Sequence, residues 1–219
     1  MGEREMYRIH GLERIVWRPR DCVCYWLNCM HKKLTCFEPI LELRNGTQDL
    51  HSQIEEFPIY SALMKDQVTL GDYAQALEAL SGFYANMELQ LIFGLLHHFP
   101  KYNYVSRLNL LNHDLLALGI AKDIKPIQNI ANLPNKAGIL GLLYVVEGST
   151  LGGQIITRHL KERLGSQISD ALRFYTLDGK MQADHWAKVK QLFRENLKES
   201  DEIVQSVIAA RQAFNNLLR

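Results

Sequence analysis

The chain has 219 residues, of which 25 are basic and 24 acidic, giving a formal net charge of +1, and 47% are hydrophobic. A balance this close to neutral supplies no global field for nucleic acid or an anionic membrane, so any charged ligand has to be met by local groups. No Pro-, Gly- or Ser-rich linker divides the chain, which favours one domain.

Residues 1–29 are rich in Arg, Trp and Cys and follow neither helical nor strand periodicity. They are expected to form an irregular, non-native extension, with Met30 as the natural start and 30–219 as the folded domain. The four cysteines, Cys22, Cys24, Cys29 and Cys36, have a spacing that matches no zinc arrangement, even with His31 added. Beyond Cys36 there is no cysteine, so the fold is not built on disulfides and suits a reducing cytoplasm. No signal peptide or myristoylation motif is present.

From Pro39 to Glu56 the apolar residues Ile40, Leu43, Leu50 and Ile54 fall on one helical stripe, which Phe57-Pro58 ends. Thr69 is placed to cap a second helix through Tyr73, Leu77, Leu80, Tyr84, Met87, Leu91 and Leu95 up to Pro100. Ser106–Leu118 reads as a helix closed by Gly119. An irregular loop through Pro126 and Pro134 leads to a long helix from Asn135 to Leu164, closed by Gly165. One more helix is expected from Phe174 or Ala183 through Leu197, and a last one from Ser200, as cap, to Leu218. With no alternating β-branched run, the predicted class is all-α, a single-domain bundle of about six to eight helices.

The long helix is unusual. Leu140-Gly-Leu-Leu-Tyr-Val-Val-Glu-Gly-Ser-Thr-Leu-Gly-Gly-Gln154 places Gly141, Gly148, Gly152 and Gly153 in a buried-type run, and four interior glycines weaken a helix by about 3 to 4 kcal/mol. A membrane span with a G-x-x-x-G motif is one reading, but Glu147 near its centre costs about 2.5 to 3.5 kcal/mol in a bilayer and excludes it. Two readings remain: the glycines admit a neighbouring helix, or they clear a backbone face for a flat ligand.

Among eight histidines, His97, His98, His159 and His185 read as surface or satisfied residues. His51 has chemically useful neighbours. At about 100° per residue, Arg44 lies about 20° from it, with Thr47 and Glu55 about 40° to either side. A metal-bound imidazole needs its second nitrogen held by a carboxylate, which Glu55 is placed to do, and Arg44 is placed to meet an anionic group of the same ligand. The same four residues would also make an ordinary solvated helix face. A lone His opposite a bare glycine face is, however, the arrangement that sandwiches a flat metallomacrocycle such as heme (haem).

These residues carry a family resemblance. The Leu43, Arg44, Thr47, His51, Glu55 run, followed by Leu-Tyr-Val-Val-Glu-Gly-Ser-Thr-Leu-Gly-Gly-Gln, resembles the heme oxygenase family, closest to bacterial members that make biliverdin for bacteriophytochromes. The resemblance spans roughly Phe37 to Leu218. It implies a fold of heme-oxygenase type, with heme as both cofactor and substrate. It implies His51 as proximal iron ligand, Glu55 as its water-linked partner, and Arg44 and Tyr144 as propionate contacts. Gly148, Gly152 and Gly153 match the glycines of the distal helix, and Lys190 and Arg194 in Lys-Gln-Leu-Phe-Arg resemble two further propionate-binding cations. Ser149 stands where mammalian members have a distal Asp, and Thr150 where some bacterial relatives have Asn.

The activity implied is oxidative opening of heme to biliverdin, carbon monoxide and ferrous iron. It uses O2 and electrons from a separate reductase or ferredoxin, with a bacteriophytochrome as bilin acceptor and with no nucleic-acid partner. Two alternatives stay open: a non-catalytic heme-binding protein for storage or sensing, and a helical scaffold without heme.

Overall fold

The computed structural model of the protein describes residues 38–121, 123–127, 133–177, 179 and 184–218, and the backbone of 6–9, 12–15 and 178. The chain divides into two units, Met1–Phe37 and Glu38–Arg219. Met30, His31 and the four cysteines lie outside the described residues. The first unit departs from the irregular segment expected there. β1 (Met6–Ile9) and β2 (Leu12–Ile15) form an antiparallel hairpin with Met6 opposite Ile15 and Ile9 opposite Leu12. Four-residue strands carry too little periodicity to be read from sequence.

Among its described residues, the regular elements of the second unit are all helices. α1 (Pro39–Glu56) begins on a proline whose missing N–H is no loss in a first turn, and it buries Leu43, Thr47 and Leu50. A one-turn α2 (Pro58–Ser61), absent from the sequence reading, and a 3-10 turn follow. α3 (Leu70–His98) opens with a reciprocal cap: Asp72 N–H donates to Thr69 Oγ1 at 3.1 Å, and Thr69 N–H to Asp72 Oδ2 at 2.9 Å. α4 (Arg107–Ala117) is capped by Ser106, and Gly119, at φ 81°, supplies the left-handed turn that ends it.

α5 (Lys136–Leu164) is the central helix, capped by Asn135 and ended at Gly165. It packs along α8 (Ser200–Leu217), which also packs along α1, while α3 packs along α4. Of the two starts expected for the next helix, Phe174 and Ala183, the structure comes close to the second. α6 (Arg173–Thr176) is a single turn wedged against α4 and α5, and α7 (His185–Asn196) starts only after it. The cap of α8 is also one residue earlier than expected: Glu199 and Glu202 form the capping pair, not Ser200.

Lys136–Ile168 is long and apolar enough to cross a membrane by length and composition, yet more than half of its apolar window is buried inside this fold. It is a core helix, as Glu147 required. Gly141 explains part of its glycine content. A Cβ there would meet the Ser206 carbonyl oxygen of α8, with Ala209 Cβ at 2.9 Å and Ala210 N at 3.0 Å, so α5 and α8 approach to backbone contact.

Candidate heme site

Gly148 and Gly152 behave differently from Gly141. A Cβ built on either finds no atom within 4 Å. On the helix, Tyr144, Gly148, Leu151, Gly152 and Ile155 share a face about 100° wide. Leu151 and Ile155 are exposed large apolar side chains, 43% and 64% accessible. An open strip of bare backbone flanked by uncovered aliphatic side chains is a surface that a flat apolar ring would cover.

Gly153 does not belong to that strip. It is buried, and its Cβ position lies 3.1 Å from Tyr175 Cδ1 and 3.2 Å from the Tyr175 carbonyl oxygen. In the structure it packs α5 closely on α6, on a different side of the helix from Gly148 and Gly152. The physical reason is angular: one residue beyond Gly152, it is rotated by about 100° off the open face.

α1 meets this region through Tyr144, whose hydroxyl is hydrogen-bonded to Thr47 and lies within electrostatic reach of Arg44. Burial raises the Tyr144 phenol, and the Thr47 bond and the Arg44 charge offset part of that rise. Thr47 is itself held by donating to the Leu43 carbonyl at 2.7 Å. One turn beyond Thr47 on α1 is His51; one turn beyond Tyr144 on α5 is Gly148. His51 Nδ1 lies 3.3 Å from Glu55 Oε1, with both side chains more than half exposed. Its Nε2 has no hydrogen-bond partner among the described residues, and its ring packs edge-on against Phe214. An imidazole engaged at Nδ1 by a carboxylate and open at Nε2 is the donor that heme iron needs.

The cations are less uniform. Arg44 is exposed and has no carboxylate partner among the described residues. Lys190 is half-buried on α7 without an ion pair among them. Arg194, expected to be available to a propionate, instead binds Glu38 at the start of α1, Nε at 2.7 Å and Nη2 at 2.6 Å from Oε2. That pair ties α7 to α1, and an anionic ligand would have to share or displace Glu38.

Ser149 donates to the Val146 carbonyl at 2.7 Å and is hydrogen-bonded to the buried hydroxyl of Tyr84 on α3. Tyr84 was visible in the sequence only as a core position. Next to Gly148, Glu147 is 1% exposed and receives three donors: Tyr102 Oη at 2.9 Å, Arg107 Nη2 at 3.0 Å and His185 Nε2 at 2.7 Å. Burial pushes its carboxyl up, but the His185 bond, the Arg107 guanidinium and the Tyr102 hydroxyl outweigh it and hold it below the usual carboxylate range. Arg107 in turn lies 5.3 Å from the ring centre of Tyr104, whose hydroxyl donates to Glu88 at 2.8 Å. This polar layer was not read from sequence. Its one sequence signal was a carboxylate within an apolar run, which had to have buried partners somewhere.

A family model described as Heme oxygenase matches residues 40–218. The chain belongs to the heme oxygenase family. A heme oxygenase of Xanthomonas campestris pv. campestris (strain 8004) is 28% identical over 156 residues, covering 70% of this chain and 90% of that protein. The fold is similar to that of heme oxygenase from Leptospira interrogans, with a TM-score of 0.67 at 20% identity over 83% of this chain and 97% of the other. It is also similar to heme oxygenase-1 from the cyanobacterium Synechocystis sp. PCC6803 in complex with heme, with a TM-score of 0.66 at 18% identity over 83% and 90%. As a family member, the chain is a heme-degrading oxygenase with heme as its substrate. The open glycine strip, the free Nε2 of His51 and the cation on α1 fit that molecule's flat ring, metal and carboxylates.

Proposed function

We propose that this oxygenase binds heme between α1 and α5, where His51 Nε2 would hold the iron and the bare backbone of Gly148 and Gly152 would receive the ring. The observation that carries the reading is the open space at both glycine Cβ positions in a helix that is otherwise a packed core element. Heme, when bound, supplies the metal at which O2 is activated and the ring that is opened, giving biliverdin, carbon monoxide and ferrous iron.

The protein's work is positional and electrostatic. Glu55 engages His51 Nδ1, which fixes the ring orientation and keeps Nε2 free. Arg44 and the Tyr144 hydroxyl, already adjacent, anchor one propionate, and Lys190 approaches from α7; Arg194 joins them by leaving Glu38. Bare backbone at Gly148 and Gly152 would let the helix lie close against the bound ring and leave little room there. Ser149, oriented by Val146 and Tyr84, offers a weak proton donor on that side in place of a carboxylic acid.

Electrons from an external reductase or ferredoxin are what the family resemblance implies. Delivery of the bilin to a bacteriophytochrome is the use suggested by the Glu-Gly-Ser-Thr-Leu-Gly run. The deciding experiment is to titrate heme, add reductant in air and follow the Soret band. Its replacement by biliverdin absorption supports the reading; a persistent complex would indicate storage or sensing, and no spectral change would refute heme binding here.

A further inference from the structure

α6 has four residues and cannot hold itself together. Its start is held from another element. Asp114 of α4, fully buried, accepts the Arg173 N–H at Oδ1 (2.9 Å) and the Phe174 N–H at Oδ2 (2.8 Å). Its end runs into Leu177, a non-glycine residue in the left-handed region at φ 51° and almost wholly buried. Tertiary contacts therefore impose the position of this turn.

The turn reaches the heme-facing wall indirectly, at two places. Tyr175 sits against Gly153, the residue after Gly152, close enough that a methyl group there would press on both its ring and its carbonyl. The Phe174 ring meets Tyr84 edge-on at 5.7 Å, and Tyr84 is the residue bonded to Ser149. Tyr175 also stacks on Tyr73, whose hydroxyl donates to the Ala171 carbonyl just before the turn.

We propose that Asp114 is a positioning residue whose ionised carboxylate holds α6 against Gly153 and Tyr84, setting the Gly148–Gly152 wall and Ser149, and whose protonation loosens that wall. The inference rests on reading this wall as the heme contact. A carboxylate offers a strong acceptor to each of the two N–H groups; once protonated, one oxygen becomes a donor and a much weaker acceptor, and the N–H bond to it weakens. The groups facing Asp114 are Arg173 and Tyr175 from α6, Tyr73 from α3 and His113 from its own helix. Burial raises its carboxyl to about 6, against the opposing pull of the Phe174 and Arg173 N–H bonds and the Arg173 and His113 charges. The change then falls in a range that does not unfold proteins.

The test is an NMR pH titration of the full heme-free chain between pH 5 and 7.5. The Asp114 carboxyl carbon and the amides of Arg173, Phe174, Gly148, Ser149 and Gly152 are expected to move with one midpoint. Asp114→Asn should abolish that shared transition, whereas His113→Gln and His185→Gln should leave it. Wall amides that keep their transition in Asp114→Asn would overturn the proposal. If that variant does not fold, a mismatch between the Asp114 and wall midpoints in the parent chain overturns it equally, and a match supports it. With heme bound, the turnover–pH profile should lose its limb near the Asp114 midpoint in Asp114→Asn while the Soret band on heme addition is retained. Failure of heme to bind the parent chain would refute the heme reading of the wall, and the NMR comparison would still decide the mechanical link.

Discussion

Replacing glycines of α5 by alanine should change stability with opposite signs at positions that look equivalent in sequence. At Gly148 and Gly152 the added methyl meets nothing within 4 Å. Only the intrinsic helix preference of Ala over Gly then acts, about 1 kcal/mol per site, so Gly148→Ala/Gly152→Ala should stabilise the heme-free protein by about 2 kcal/mol. For a chain of this size that is roughly 4 to 8 °C in Tm. At Gly141 the methyl collides with the Ser206 carbonyl and crowds Ala210 N of α8, backbone atoms that cannot rotate away. Overpacking there costs about 1 to 3 kcal/mol or more, outweighing the same helix gain. The assay is urea unfolding of heme-free protein, reading the midpoint at constant m, with heme titration and turnover alongside. The double variant should still give a Soret band on heme addition yet turn heme over at least about tenfold more slowly, equivalent to about 1.4 kcal/mol in the barrier. A double variant no more stable than the parent, or one that degrades heme at the parental rate, would refute the claim that these glycines are kept for the ligand.

Four further outcomes are expected. Glu55→Gln should weaken heme affinity about 10- to 100-fold with the fold unchanged by circular dichroism, as removal of a ligand-orienting carboxylate does elsewhere, and Tyr144→Phe about tenfold through the loss of one charge-assisted bond; both are read by Soret titration. Glu147→Gln leaves Arg107 buried without its counter-charge and should cost about 3 to 5 kcal/mol near neutral pH. Because the Glu147 carboxyl is held below its ordinary value, its contribution is present above the ordinary carboxylate range and lost as pH falls through the depressed one. Parent and variant unfolding curves should therefore converge in acid. Asp114 has the opposite sign. Its carboxyl is raised from 3.8 to about 6, so relative to Asp114→Asn the parent should lose up to about 3 kcal/mol as pH rises from about 4 to 6, measured by urea unfolding across that range.

The helix limits of α1, α3, α4 and α5 were legible because their signals are local. Pro39, Thr69, Ser106 and Asn135 start these helices, and Phe57-Pro58, Gly119 and Gly165 end three of them, each acting within one turn of its own position. α6 was not legible, since its hydrogen-bond acceptor is Asp114, 59 residues away from Arg173. The same division runs through the site. The shared face of Arg44, Thr47, His51 and Glu55 follows from helical geometry alone, as does the strip at Gly148 and Gly152. Gly153, adjacent in the motif, is turned about 100° from Gly152 and packs on Tyr175, a contact that motif adjacency does not record.

By itself, then, the sequence determined that the chain is helical, where most of its helices begin and end, and that one of them gives up stability for bare backbone. Those properties depend on neighbours within a few residues, and the chain encodes them directly. Only the tertiary structure decided which glycines face open space and which face a helix, that Arg194 is held by Glu38, and that Glu147 gathers Tyr102, Arg107 and His185 from three separate segments. Such pairings are settled by how helices pack, through contacts between residues far apart in the chain, and no local periodicity records them.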